Sequence, residues 1–218
     1  MKARFITFEG LDGSGKSTHL RRASDWLAAR GERALVTREP GGTELGDALR
    51  GIFLDRRYGE VDGRVEALMV FASRRQHLLE KIDPALEAGR HVLCDRFTDS
   101  TLAYQGAGRG LDASWIAELD RLATGERRPD RTLLFDLPAE IAHDRRVRAR
   151  GAPPPDRLEA EGLRFYETLR EAFGRMARRE PERFVVIDSS SQADETWPRV
   201  ERALLDIFGR ERTPEASR

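Results

Sequence analysis

Five short apolar runs punctuate the chain, each closed by a turn signal: RFITFEG, RALVTREPGG, RHVLCDR, RTLLFDL and RFVVIDSS. Inside them apolar residues follow one another instead of alternating with polar ones, the pattern of strands buried on both faces of a parallel sheet. Between the runs, apolar positions recur at helical period over 16–30, 43–54, 65–88, 113–124, 139–150, 159–179 and 196–210. Strand and helix alternate throughout, which predicts an α/β fold with a doubly wound, five-stranded parallel sheet flanked by helices. The 218 residues suit one domain, expected over 1–208, with 209–218 a disordered tail poor in apolar side chains. Three prolines interrupt an arginine-rich helix end in RARGAPPPDRLEAEG, and this stretch reads as a mobile flap over about 145–160.

Charge narrows the function classes. Lys+Arg and Asp+Glu both number 38, so the formal net charge is zero and no global basic field exists to hold nucleic acid or an anionic membrane. Any anion binding must be local. The single cysteine, Cys94, lies in an apolar run and reads as a buried thiol of a reducing, cytoplasmic compartment. The first apolar run is too short for a signal sequence, and nothing approaches a membrane span.

The local site is GLDGSGKST, in which Gly10, four residues, Gly15, Lys16 and Ser17 follow a strand and open a helix. Its glycines let successive N–H groups point inward, the helix start adds its positive end, and the lysine reaches the terminal phosphates. Ser17 supplies a hydroxyl to Mg²⁺, and the cradle comprises Gly10, Leu11, Asp12, Gly13, Ser14, Gly15, Lys16, Ser17 and Thr18. Lysine is otherwise found only at positions 2 and 81, so its use here fits a place where a compact ammonium enters a ring of amides that a guanidinium would overfill. A GTPase switch shares this loop, but its usual Asn-Lys-x-Asp base reader is impossible in a chain without asparagine.

A second anion site is expected where strands three and two end. Asp95 and Arg96 close HVLCDRF at the carboxyl edge of the sheet, where an acidic residue can hold a metal's hydration shell and the arginine can clamp a phosphate. Arg38, Glu39 and Pro40 close the second strand at the same edge. A surface ion pair would look the same, but arginines beyond the phosphate loop suggest a second phosphorylated substrate. In MVFASRRQHLLEK, Phe71, Arg74 and Arg75 offer a ring and guanidinium groups at helical spacing, suited to stacking on a base or to plain core packing. Arg146, Arg148 and Arg150 splay around the helix end at the flap, either as a solvated basic helix or as groups that close over ATP.

Together GLDGSGKST, TREPGGT, CDRFTDSTLAYQGAGRG and RARG…DRLE resemble the bacterial thymidylate kinases, nucleoside monophosphate kinases of phosphate-loop type that phosphorylate dTMP with ATP. The resemblance spans nearly the whole chain. It implies that Lys16 and the loop amides hold ATP, with Ser17 and Asp95 near Mg²⁺, and that Arg38 and Arg96 grip the dTMP phosphate with Glu39 and Arg50 close by. It also implies that Phe71 stacks on thymine, that Arg74 bonds its edge, and that Ser100, Thr101, Tyr104 and Gln105 close around base and sugar, with Tyr104 against the 2' carbon. The register stays open, Val70 with Arg74 or Phe71 with Arg75, and Phe71 is favoured because valine offers no π face. Asp12, which would repel ATP if turned inward, is implied to face the acceptor 3'-hydroxyl, a loop type in which the flap supplies the arginines. The flap is longer than the family's RGELDR, which leaves open which arginine acts. The family is homodimeric, and the helix over 65–88 is a possible interface. No nucleic acid or membrane partner is expected. Another nucleoside monophosphate kinase, a switch, or an inactive nucleotide-binding module remain the alternatives.

Lys16→Ala is expected to abolish phosphoryl transfer while far-UV circular dichroism stays as in the parent chain. Near-normal turnover in a release assay for ADP would remove the phosphate-loop assignment.

Overall fold

The computed structural model describes residues 2–149, 158 and 161–209. Arg150, most of the expected flap and residues 210–218 of the expected tail lie outside them. The five apolar runs form β1 (Phe5–Gly10), β2 (Ala34–Arg38), β3 (His91–Asp95), β4 (Arg131–Asp136) and β5 (Phe184–Asp188). All neighbours pair in parallel, in the order β2-β3-β1-β4-β5. The connections after β1 and β3 therefore leave along the sheet in opposite directions, and the crevice between them is where open α/β sheets bind ligands.

Alternation within strands sets the layers. Ile6, Phe8, Leu133 and Phe135 pack with Leu27 of α1 (Lys16–Ala28) and Leu204 of α9 (Ala193–Phe208). Leu134, pointing the other way from its neighbours, joins Tyr166, Leu169 and Phe173 of α8 (Leu163–Arg179). Burial on both faces holds for the central strands. On the edge strands it does not: Val36 of β2 and Val186 of β5 are exposed, because an edge strand has a neighbour on one side only.

The remaining helices are α2 (Glu44–Leu54), α3 (Gly63–His77), α4 (Asp83–Glu87), α5 (Thr98–Thr101), α6 (Ala113–Thr124) and α7 (Ala139–Ala149). The long helix expected over 65–88 is interrupted. A π-helical turn, Leu78–Ile82, joins α3 to α4, where Pro84 has no N–H to continue the regular ladder. A second π-helical stretch, Leu102–Gly108, extends α5 through the glycines of AYQGAG, and neither it nor α5 was expected from periodicity. Thr43 caps α2 by accepting the Gly46 N–H at 3.0 Å, which holds the start of α2 against the turn after β2. Among the described residues no helix is long and apolar enough to cross a membrane.

Candidate active site

β1 ends on Gly10, whose φ of 134° and close approach to β4 both require glycine: a Cβ there would sit 2.4 Å from the Phe135 carbonyl oxygen. The chain turns at once into α1, which starts after a left-handed Gly15 with no side chain accepting from its first N–H groups. Those groups remain for an anion. Lys16 folds back over the loop, buried, with Nζ donating to the Leu11 carbonyl at 2.7 Å. Ser17 Oγ donates to Asp95 Oδ2 at 2.6 Å, while Asp95 Oδ1 and Ser14 Oγ are buried without hydrogen-bond partners among the described residues.

Arg96 is the first residue past β3 and has φ of 71°, a left-handed conformation costly for a side chain with a Cβ. Its guanidinium crosses to the loop after β1. Nη2 donates to Asp12 Oδ1 at 2.7 Å and to the Tyr104 hydroxyl at 3.1 Å, and Nη1 donates to the Gly10 carbonyl at 3.1 Å and to Ser100 Oγ at 2.9 Å. The Tyr104 hydroxyl donates to Asp12 Oδ2 at 3.0 Å. Asp12 is thus turned toward the end of β3.

Beyond β2, Arg38 is half exposed and pairs with Asp47 at 3.1 Å, and Arg50 donates to the Pro40 carbonyl at 3.1 Å. Glu39 is buried and accepts from Arg74 Nε at 2.7 Å, with His77 Nδ1 3.0 Å from its other oxygen. Arg74 also donates to Thr101 Oγ1 at 2.9 Å and lies between the rings of Phe71 and Phe97, each 4.8 Å away. Its Nη1 is buried, lies 3.9 Å from Asp120 Oδ1 and makes no hydrogen bond among the described residues. Gln105 donates to Glu66 at 3.0 Å.

A cleft of about 500 Å³ joins these parts, and its size suits a pair of small substrates. Asp12, Gly13, Gly15, Lys16, Ser17 and Thr18 line one end, and Arg38, Glu39, Pro40, Arg50 and Arg74 the other. Asp95, Arg96, Ser100, Thr101, Tyr104, Gln105 and Arg146 complete the wall. Gly10, Leu11 and Ser14 form the loop's underside and do not line the cleft.

Two expected residues are corrected. Phe71 packs with Ala67 and Ile116 in a core cluster under α6, so Val70 lines the cleft in its place. Arg75 is exposed and donates at 3.5 Å to the Ala123 carbonyl. One helical step of about 100° separates 70 and 74 from 71 and 75, so only the first pair faces the cleft. The flap arginines part as well: Arg146 is buried against the Tyr166 hydroxyl at 2.5 Å, and Arg148 is exposed and away from the cleft.

The sequence model for thymidylate kinase matches residues 8–198. The chain belongs to the thymidylate kinase family. A thymidylate kinase of Desulfovibrio desulfuricans is 49% identical over 195 residues, covering 88% of this chain and 90% of that protein. One from Cupriavidus necator is 46% identical over 209 residues, covering 95% of this chain and 100% of the relative. The crystal structure of thymidylate kinase from Ehrlichia chaffeensis superposes with a TM-score of 0.72 at 31% identity, covering 94% of this chain and 99% of that one.

The thymidylate kinase cleft here also contains residues that motif reading did not single out. Phe97 lines it directly after Arg96, and Phe53 and Leu54 reach it from the end of α2. Arg145 lines it while donating to the carbonyls of Ser189, Ser190 and Ser191. Glu9 lies beneath it, wholly buried, and its signal was available: a carboxylate inside a strand buried on both faces needs partners.

Burial works against the charge on Asp12, but Arg96 and Lys16 more than offset this and hold its carboxyl well below the usual range. Burial likewise opposes the charge on Arg96, and Asp12 leads the groups that raise it nonetheless. Among the described residues no cluster of three or more His, Cys, Asp or Glu side chains gathers to form a metal cage. The Ser17 hydroxyl and the unpartnered Asp95 oxygen suit Mg²⁺, which keeps most of its water and takes phosphate oxygens.

Lys16 is pushed down to about 8 by burial and by the Arg96 charge, against the pull of Asp12, Asp95 and Glu9. A phosphate anion on the loop would favour the ammonium form and raise it again. ADP binding at pH 8 is therefore expected to take up protons, read by calorimetry in buffers of different ionisation enthalpy. Proton release, or no exchange, would contradict this origin of the lysine's shift.

Proposed function

We propose that this chain transfers the γ-phosphoryl group of ATP to dTMP by direct in-line displacement, giving ADP and dTDP for dTTP synthesis. The observation that carries this reading is that two further arginines, Arg96 beside the phosphate loop and Arg38 at the end of β2, line the same cleft as that loop. A switch or a simple hydrolase needs one anion site; a kinase with a phosphorylated acceptor needs two.

Lys16 and the loop amides hold the β and γ phosphates of ATP, and Arg96 and Arg38 hold the dTMP phosphate in line with them. Asp12 accepts a hydrogen bond from the 3'-hydroxyl, and Tyr104 lies against the 2' carbon. Arg74, fixed by Glu39 and Thr101, bonds the thymine edge through its Nη1, and Val70 and Phe97 supply apolar contact. Ser17 and Asp95 would hold the Mg²⁺ that accompanies ATP, which neutralises charge on the phosphate oxygens. The acceptor oxygen is already anionic near neutral pH, so no strong general base is required. Arg146, on the cleft wall, supplies charge beside the γ phosphate. Residues 1–208 act as one kinase domain in this reading. A single buried thiol, Cys94, fits the reducing cytoplasm.

The partner for the outer face of α2 and α3 is a second copy of the chain. Leu45 and Ile52 of α2 and Val65 and Leu68 of α3 are exposed at helical spacing on two helices packed together, an apolar face that water does not favour. Sedimentation velocity is expected to show a dimer that Leu68→Glu converts to monomer; a monomeric parent chain would reject the interface.

The reaction is tested by ADP release from Mg-ATP with no acceptor and with dTMP, dUMP, UMP, CMP, AMP and GMP in turn. Stimulation strongest with dTMP is expected. Partial use of dUMP is compatible, since one methyl is worth only about 1–3 kcal/mol in an apolar pocket. Strongest stimulation by a purine nucleotide, or acceptor-independent hydrolysis alone, would overturn the assignment.

A further inference from the structure

One peptide group, Arg96–Phe97, is gripped from both ends by side chains that have no part in the mechanism above. Its carbonyl oxygen accepts from the Cys94 thiol, Sγ to oxygen 3.1 Å, and its N–H donates to Glu9 Oε1 at 2.7 Å. Arg96 on that peptide has φ of 71°, so the plane lies where an ordinary strand exit would not put it. The left-handed turn carries the Phe97 N–H inward, away from the ladder that its neighbour keeps: the Arg96 N–H still donates to the Phe8 carbonyl at 3.0 Å. Buried donors need acceptors, and Glu9 is the acceptor supplied.

Glu9 reaches the Arg96 side chain as well. Its Oε2 accepts from Ser100 Oγ at 2.5 Å, and the same Ser100 oxygen accepts from Arg96 Nη1 at 2.9 Å. A single carboxyl, placed by the pairing of Glu9 with Leu134 of β4, therefore orients both the backbone and the guanidinium of Arg96. We propose that Glu9, assisted by Cys94, is a positioning residue that holds Arg96 in the left-handed turn aiming its guanidinium at the acceptor phosphate. This rests on the reading of Arg96 as the dTMP phosphate clamp.

The geometry specifies what must be kept. Phe97 needs an acceptor and Ser100 a polar partner, which a glutamine amide supplies with its oxygen and its NH₂ group. Burial, and next the nearby Asp99, push the Glu9 carboxyl upward, so the uncharged amide is a closer substitute here than at an exposed carboxylate. Methionine keeps the volume and removes both functions.

The test measures dTMP affinity by calorimetry and KM for both substrates on the full chain. Glu9→Met is expected to weaken dTMP about tenfold or more while the KM for ATP stays within about twofold, and Glu9→Gln is expected to recover most of the loss. Cys94→Ala should show a smaller loss with the same bias toward dTMP. Loss of dTMP and ATP affinity in equal measure, Glu9→Gln as impaired as Glu9→Met, or dTMP affinity unchanged in Glu9→Met would each overturn the proposal. Should Glu9→Met not fold, the bias in Cys94→Ala decides, and equal effects on both substrates reject it. A parent chain that does not bind dTMP would defeat the functional reading instead, and the comparison is then run with the monophosphate that stimulates it most.

Discussion

Burying a guanidinium requires matching charge and hydrogen-bond acceptors around it, and the site is built on meeting that requirement at Arg96. Asp12, the Gly10 carbonyl, Ser100 and Tyr104 surround it, drawn from the loop after β1 and the segment after β3. The pair joins the two chain segments that flank the crevice of the sheet. It also explains a carboxylate inside an anion-binding loop. Asp12 faces Arg96, and each raises the other's preference for its charged form.

Arg74 obeys the same rule by other means. Glu39 and Thr101 satisfy its Nε and Nη2, and two aromatic rings cover its faces. Behind Glu39, His77 bridges to Thr37 of β2 at 2.6 Å, so the arginine is tied through two side chains to the sheet edge. What is left over is directional. Arg74 Nη1 and Asp95 Oδ1 are buried, lie on cleft-lining residues and accept or donate no hydrogen bond among the described residues, Nη1 having only Asp120 Oδ1 at 3.9 Å. Buried polar groups in native proteins are almost always satisfied, so atoms beside a cleft that lack a hydrogen bond have capacity for another.

Support for the cleft comes from further down in the sheet. Asp99 is held by Arg183 through bonds of 2.6 and 2.8 Å, and Thr132 and Thr7 continue the network across β4 and β1. This buried chain ties α5 to the strands beneath it, next to the segment whose start carries Arg96. Arg183 stays charged because Asp99 and Glu180 bond it despite its burial. A rigid floor of this kind lets a strained residue such as Arg96 persist.

By itself the sequence determined the fold class, the strand positions and the phosphate loop, because these depend on local pattern: apolar runs, helical period, and glycines spaced before Lys16. It also carried the identity of most cleft residues, since TREPGG and CDRFTDSTLAYQG are contiguous segments at strand ends. Only the tertiary structure decided which face each helical residue presents. Val70 rather than Phe71 reaches the cleft because α6 covers the other side of α3, and the helix that periodicity ran on to 88 passes through a π-helical turn at Leu78–Ile82 ahead of Pro84. Glu9 stayed hidden for the same reason. A carboxyl's meaning lies in its partners, and those of Glu9, Phe97 and Ser100, are 88 and 91 positions away, brought to it only when β1 and β3 pair.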